Sequence, residues 1–329
     1  MFVLKKYVRG LYYSIQLFIE YYGDFRCYRR WNYNNPVVHT QNSLEAKIYR
    51  QTHTIEKGMS ISKPRVGFGV KKIEELVELL KLYISEGFDL SNSAFINAIG
   101  VMYSYMDFQK SKGYENEELY LLIESFHLPH KSDQEYGIKS ISKSKLNNNI
   151  NGTFKQFFCS RHSVRQYEDK AVSIEDIKQA IELAQKAPTA CNRQASKVYM
   201  YKDCITNVKL GKLIAGNTGF EDDVKNYLVL TVDISSFYDP FERNQLYVEG
   251  GIFACALVEA LHYYGIASCI LQNGERRNMQ KQLRKVCSNI PQSEKIIMFI
   301  AIGYYKEEIT YAVSNRKDVD EVLKIQGDK

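Results

Sequence analysis

The chain has 329 residues, of which 45% are hydrophobic and 25% are charged, the balance of an ordinary globular protein. Its formal net charge of +6 is mild and spread along the sequence, so it does not indicate a nucleic-acid partner. The seven cysteines form no CxxC pair and have no histidine at zinc-site spacing, which argues against a metal site and a disulfide framework. We therefore expect reduced thiols in the cytoplasm and no bound metal.

Residues 1–31 predict an amphipathic helix. Basic residues precede an apolar stretch, but Gln16 and Glu20 interrupt it and no small-residue cleavage site follows, unlike in a signal peptide. The stretch is also too short to cross a bilayer. We expect this helix to pack on the body of the protein or on a partner subunit. A weak peripheral membrane contact, aided by the arginines that follow, is the alternative.

Residues 52–58 read Thr-His-Thr-Ile-Glu-Lys-Gly. A spacing of three puts His53 and Glu56 on one helical face, where they could bind a metal, but the sequence offers no evident third ligand. A helix end capped by Gly58 is the simpler prediction.

Three helices are predicted next, over residues 72–86, 93–110 and 115–126, the first of them clearly amphipathic. Residues 131–152 are rich in Ser, Lys and Asn, which is typical of a linker. The sequence therefore predicts a helical amino-terminal region over 1–150 and a second domain over 151–329.

The second domain opens with Ser-Arg-His-Ser-Val-Arg at residues 160–165. Two arginines and a serine within five residues can hold an anion, because guanidinium groups donate paired hydrogen bonds to phosphate oxygens. A helix follows that is capped by Ser173 and ended by Pro188. The turn after it reads Ala-Pro-Thr-Ala-Cys-Asn. One helix thus separates an anion-binding segment from an amide-bearing turn.

Strands are predicted at 197–202, 225–233, 266–271 and 295–303, and the last, the most hydrophobic, is expected at the centre of a sheet. A helix over 249–264 is apolar nearly all round, which predicts burial in a core or in a tight dimer interface. Asn217 lies in a polar turn, where its amide offers both a donor and an acceptor.

Three motifs, S-R-x-S-[IV]-R, V-x-x-E-x-[IL] and A-P-[ST]-x-x-N-x-Q, occur here in one order and spacing. Together they resemble the nitroreductase family of FMN-dependent oxidoreductases, over roughly residues 150–325. The resemblance implies an α+β, nitroreductase-like fold, in which helices flank a central, mainly antiparallel sheet, here with an added N-terminal helical region. It also implies a homodimer with FMN at the subunit interface.

On the phosphate side, the resemblance implies that Arg161, Ser163 and Arg316 hold the phosphate of FMN. Arg316 forms with Lys317 the basic pair that ends the family pattern. Arg165 would lie near N1 and the C2 carbonyl of the flavin, where a cation stabilises the negative charge of the reduced ring.

On the ring side, the resemblance implies that Asn217 forms a hydrogen bond with the flavin pyrimidine. The segment Gln272-Asn273-Gly274 departs from the family pattern Pro-x-[GE]-G at the place where backbone amides approach N5. The remaining implied cofactor contacts are His162 (through its backbone) and, from the partner subunit, Pro188, Thr189, Ala190 and Asn192.

The activity implied is ping-pong hydride transfer from NAD(P)H, through flavin N5, to a small oxidant such as a nitro compound or a quinone. This chemistry requires no side-chain acid or nucleophile, so no catalytic residue is predicted. Two alternatives stay open. One is a specialised flavin dehydrogenase or reductase acting on a biosynthetic, polysaccharide-linked intermediate, and the other is a non-catalytic, membrane-peripheral binding protein on the same frame.

Overall fold

The computed structural model describes residues 2–32, 40–127, 134–273 and 277–326. The α-helices in these ranges are α1 (Phe2–Trp31), α2 (Gln41–Met59), α3 (Val70–Ser85), α4 (Ser93–Ser111), α5 (Glu117–Glu124), α6 (Lys143–Ile150), α7 (Phe154–Ser160), α8 (Ile174–Ala184), α9 (Cys204–Leu213), α10 (Gln245–Tyr263), α11 (Arg277–Val286) and α12 (Val319–Val322). The strands are β1 (Ile138–Ser142), β2 (Ser196–Tyr201), β3 (Asn226–Asp233), β4 (Ile266–Gln272), β5 (Glu294–Tyr304) and β6 (Glu308–Ala312).

The chain divides into two compact units. The first comprises Met1–Cys27 and Ile141–Ile309, and the second comprises Tyr28–Ser140 and Thr310–Lys329. The division falls within β1 and β6, which pair in a two-stranded sheet. The boundary predicted between residues 150 and 151 stays a prediction.

The first unit is built on a four-stranded antiparallel sheet in the order β2-β3-β5-β4. Neither interior strand, β3 or β5, contains an exposed residue, whereas each edge strand does, because both faces of an interior strand are covered. In register, Tyr227 of β3 lies opposite Ala301 of β5, and Gly303 of β5 lies opposite Ala267 of β4. The predicted α+β class and the central position of the strand at 295–303 are confirmed.

Helix α10 packs its buried face against α8, β3 and β4. Gly250 permits a close approach to the sheet, since a Cβ there would lie 2.9 Å from Ile297. The opposite face exposes Tyr247, Val248 and Ile252, the first two of them by half or more. One apolar face of this helix is thus buried in the core, and the other is exposed to solvent.

In the second unit, α2 packs against both α3 and α4, and α4 also packs against α5, around one apolar core. The three helices predicted from periodicity are confirmed. The predicted helix end is confirmed within one residue, since α2 ends at Met59, but the predicted cap at Gly58 is wrong. The capping residue is Ser60, whose N–H donates to the Glu56 carbonyl at 3.0 Å. Gly58 instead faces the Phe68 ring, which leaves no room for a Cβ.

The predicted linker over residues 131–152 is also wrong where the structure describes it. Strand β1 and helix α6 occupy residues 138–150. The Ser142 hydroxyl caps α6 by accepting the Lys145 N–H at 3.3 Å, and the Ser140 hydroxyl lies 2.9 Å from that of Thr310 in β6. The polar residues here cap a helix and join two paired strands, and they do not form a linker.

Helix α1 is continuous, as predicted for residues 1–31, and belongs to the first unit up to Cys27. Arg243 anchors it through ion pairs to Glu20 at 2.9 Å and Asp24 at 2.7 Å. Most of its apolar side chains from Tyr7 onward are exposed. No helix in the described part of the chain combines the length and the apolar character that crossing a lipid bilayer requires.

Candidate functional site

The cationic segment begins where α7 ends. Thr153 and Gln156 form a capping box that starts α7, and the backbone becomes extended at Arg161. The Nε of Arg161 donates to Glu259 of α10 at 2.9 Å. Its two Nη atoms make no hydrogen bond to any residue within the described ranges, so they are available to an anion.

A buried chain of hydrogen bonds fixes the residue before Arg161. The Ser160 hydroxyl lies 2.8 Å from Nε2 of His262, and Nδ1 of His262 lies 2.8 Å from the Tyr305 hydroxyl. Burial, and then the charge of Arg161, lower the pKa of His262 to about 4, so the imidazole is neutral at pH 7. Sequence reasoning missed His262, whose signal was a lone polar ring in an otherwise apolar helix.

After Arg161 the chain runs along β4. Ser163 forms a parallel bridge with Ser268, and the Val164 N–H donates to the Ser268 carbonyl at 3.0 Å. The side chain of Arg165 is buried, with 4% of its surface exposed, and its Nη1 lies 3.4 Å from the Ser163 carbonyl that it donates to. A guanidinium buried this deeply supplies a positive potential that water screens poorly.

The turn predicted to carry amides follows α8. Cys191, Asn192 and Gln194 all have left-handed backbones, with φ of 53°, 55° and 51°. Such conformations cost on the order of 1 kcal/mol for each non-glycine residue, so the surroundings must hold them. The Ala190 N–H donates to the buried Glu249 carboxylate at 3.0 Å. Strain concentrated in one turn is common at ligand sites.

Helix α10 provides the carboxylates that bind both segments: Glu249 accepts from the turn and Glu259 accepts from Arg161. Ten residues at 1.5 Å each separate the two carboxylates by about 15 Å along the helix axis. Pro188, Cys191 and Asn192 are exposed, whereas Thr189 and Ala190 are half-buried. The expected contact of the turn with the flavin of a partner subunit stays a prediction.

A cavity of about 250 Å³ lies beside this turn. Its walls come from α8, β2 and α10, and it is lined by Ile181, Gln185, Thr189, Gln194, Lys197 and Phe253, among others. The mixture of an aromatic ring, aliphatic groups and amides suits a flat organic ring with polar edges.

The residues predicted to contact the flavin pyrimidine and N5 are partly engaged in hydrogen bonds within the protein. Asn217 is buried, and its Nδ2 donates to the Gly211 carbonyl at 2.7 Å and to the Tyr227 hydroxyl at 3.3 Å. Its amide donors are thus used inside the protein. Asn273 donates to the Ile296 carbonyl at 2.8 Å, while Gln272 is exposed at the end of β4. Gly274 lies outside the described residues.

The basic pair at the carboxy terminus belongs to the second unit. Lys317 donates to Glu45 at 2.6 Å, and Arg316 is exposed without a hydrogen bond or ion pair to the residues that the structure describes. Their predicted contact with the flavin phosphate stays a prediction.

Part of the chain is similar to known proteins. Residues 159–304 match the model of the Nitroreductase family. A nitroreductase family protein from Streptococcus pneumoniae is 23% identical, with a TM-score of 0.44, over 53% of this chain and all of that one. An FMN-dependent nitroreductase from Clostridium difficile is 20% identical, with a TM-score of 0.43, over 52% of this chain and 98% of that one. No curated protein matches the chain. The part of the chain that is similar to the Nitroreductase family is thus residues 159–304, which include Arg161, Ser163 and the strained turn.

Proposed function

We propose that the protein is an FMN-dependent oxidoreductase that takes hydride from NAD(P)H and passes it to a small oxidant. The observation that carries the proposal is the group of hydrogen-bond donors near the start of residues 159–304, which we call the donor set. Arg161 presents two guanidinium nitrogens, Ser163 lies two residues on, and Arg165 is buried beside them.

These residues fit FMN by their chemistry. A phosphate needs several donors in one place, which Arg161 and the Ser163 hydroxyl can supply. A reduced flavin carries negative charge on its pyrimidine, and the buried Arg165 is a cation suited to stabilise it. The bound flavin would supply the hydride-accepting chemistry. Binding, orientation and charge stabilisation fall to the chain.

Two residues act on the phosphate donor indirectly. Glu259 fixes the Nε of Arg161 and so directs its Nη atoms. Burial raises the pKa of Glu259, although the charge of Arg161 opposes this shift. His262 holds Ser160, the last residue of α7. Both are positioning residues, and neither needs to touch the cofactor.

We further propose a homodimer in the cytoplasm. The apolar face that α10 exposes around Tyr247, Val248 and Ile252 suits a subunit interface. Across it, the turn at Pro188–Asn192 would line the flavin of the partner subunit. All seven cysteines are free thiols, which agrees with a reducing compartment.

A second candidate function is supported by α1. Its exposed side chains include Leu11, Phe18 and Phe25, and arginines 26, 29 and 30 follow or flank them. An amphipathic helix with exposed apolar side chains and a basic end is typical of a peripheral membrane contact. A binding protein on this frame, without flavin, would use that surface and leave the donor set empty.

The test is the flavin content of the purified full-length protein. We expect FMN to be released on denaturation in stoichiometric amount and to be identified by chromatography. A colourless protein that added FMN does not reconstitute would overturn the oxidoreductase proposal and favour the binding protein.

A further inference from the structure

Helix α1 is covered along one narrow face only. Within residues 7–27, all of them described, the half-buried residues are Gln16, Leu17, Glu20 and Asp24, and every other residue is exposed. Three of these four are spaced by four residues, so they lie on one side of the helix. The rest of the helix surface is open to solvent or to a partner.

Arg243 holds this covered face. Its Nε and Nη2 donate to the two carboxylate oxygens of Asp24 at 2.7 and 2.8 Å, and its Nη1 lies 2.9 Å from the carboxylate of Glu20. A two-pronged pair between a guanidinium and a carboxylate fixes orientation as well as distance. The Arg243 side chain is itself largely buried, with 14% of its surface exposed. The contact therefore determines which side of α1 faces outward.

The outward side is apolar over six turns of the helix. At 3.6 residues per turn, nine large side chains fall into two adjacent rows opposite Glu20 and Asp24. Each of them is exposed by about half or more. The Phe18 and Tyr22 rings stack at 6.3 Å between centroids, so neighbouring side chains form one continuous surface. The first row is Tyr7, Leu11, Phe18, Tyr22 and Phe25, and the second is Val8, Tyr12, Ile15 and Ile19.

The charge of α1 selects among the partners that could cover this surface. Residues 2–31 contain six basic and two acidic residues, which gives a formal charge of +4, and both acidic residues are the partners of Arg243. The basic residues lie near the two ends, at positions 5, 6 and 9 and at 26, 29 and 30. A second α1 laid on the apolar side would bring the same charge, which repels it. Anionic lipid head groups attract it.

We propose that α1 binds an anionic lipid surface, with its axis along the surface and its apolar side in the head-group layer. Five of the nine apolar side chains are aromatic, and tyrosine rings suit this layer because the ring is apolar and the hydroxyl reaches water. An apolar face with basic ends is the pattern of helices that lie in the interface. The inference rests on the membrane contact of the second candidate function and adds the lipid class and the binding face. It requires neither the presence nor the absence of flavin.

The experiment is co-sedimentation of the full-length protein with vesicles, either of phosphatidylcholine alone or of equal parts phosphatidylcholine and phosphatidylglycerol. We expect binding to the mixed vesicles to be at least about tenfold tighter than to the neutral ones, and to weaken as salt is added. Phe18→Ser should bind the mixed vesicles about tenfold more weakly, because a buried aromatic ring is lost. Arg9→Gln should bind about fivefold more weakly.

Two matched controls should bind as the wild type does. Phe154→Ser removes an equally exposed ring from α7, and Arg65→Gln removes an exposed arginine from the second unit. Circular dichroism checks that each variant is folded. Equal vesicle binding by the wild type and Phe18→Ser would overturn the proposal. So would a wild type that does not bind the mixed vesicles and whose oligomers dissociate in Phe18→Ser, since a second copy would then cover the surface. The flavin content of the same preparations tests the oxidoreductase separately.

Discussion

His262 should make the free energy of unfolding of the first unit decrease as the pH is lowered. Its pKa is lowered from 6.5 to about 4 in the folded state, because the ring is buried and lies near Arg161. The unfolded chain therefore takes up this proton first as the pH falls. The contribution of neutral His262 to the free energy of unfolding is therefore fully present above about pH 6.5, and it is lost as the pH falls from about 6.5 to about 4. At about 1.4 kcal/mol per pH unit, the loss attributable to this residue approaches roughly 3 kcal/mol.

The hydrogen bonds of His262 explain why protonation of its ring is unfavourable in the folded protein. The Ser160 hydroxyl also lies 2.8 Å from the Phe157 carbonyl, to which it donates. Nε2 of His262 is then the donor to Ser160, and Nδ1 accepts from the Tyr305 hydroxyl. A second proton on the ring would fall on Nδ1 and displace that hydrogen bond, in a site that water does not reach.

The assay is urea denaturation of the wild type and of His262→Gln at pH 7, 6, 5 and 4.5. We expect the free energy of unfolding of the wild type to fall more steeply with acid than that of the variant. His127→Gln, at an exposed position, is the control and should retain the wild-type slope. Equal slopes for the wild type and His262→Gln would refute this reasoning, whatever the absolute stability of the variant.

Further changes test the parts around the site. Arg161→Ala should weaken FMN binding by about tenfold to a hundredfold without unfolding the protein, as gel filtration and circular dichroism would check; Lys155→Ala, an exposed cation on α7, should not. Gly303→Ala should destabilise by about 1–3 kcal/mol in thermal unfolding, because its Cβ would lie 2.5 Å from that of buried Tyr167; a loss under 0.5 kcal/mol would contradict the packing. Thr153→Ala should cost about 1 kcal/mol through the lost cap of α7, and an unchanged melting temperature would argue against the capping box.

Local chemistry made much of the fold predictable. The Ser173 side chain caps α8 as expected, accepting the Asp176 N–H at 3.1 Å. The strands at 197–202, 225–233, 266–271 and 295–303 are present within one or two residues. Both signals depend on near neighbours in the sequence, which is why they could be interpreted without the structure.

The predictions that fail are those that depend on contacts outside the local pattern. The cap predicted at Gly58 is wrong because the ring of Phe68, rather than the end of α2, requires a glycine at this position in the last turn of the helix. The polar composition of 131–152 concealed β1, whose partner β6 lies far along the chain. The contact of Asn217 with the flavin stays a prediction, and the structure adds that Gly211 and Tyr227 receive the hydrogen bonds of its amide. No local pattern contains those partners.

The measurement that decides most is an anaerobic visible spectrum of the freshly purified protein, recorded before and after NADH or NADPH is added. The hydrogen-bond donors at Arg161–Arg165 and the match of residues 159–304 to the Nitroreductase family predict a flavin spectrum that bleaches as the nicotinamide is oxidised. A bound flavin that stays oxidised with both nicotinamides would contradict NAD(P)H as the hydride donor and favour a dehydrogenase reduced by its own substrate. The absence of flavin, even after incubation with FMN, would contradict the oxidoreductase itself.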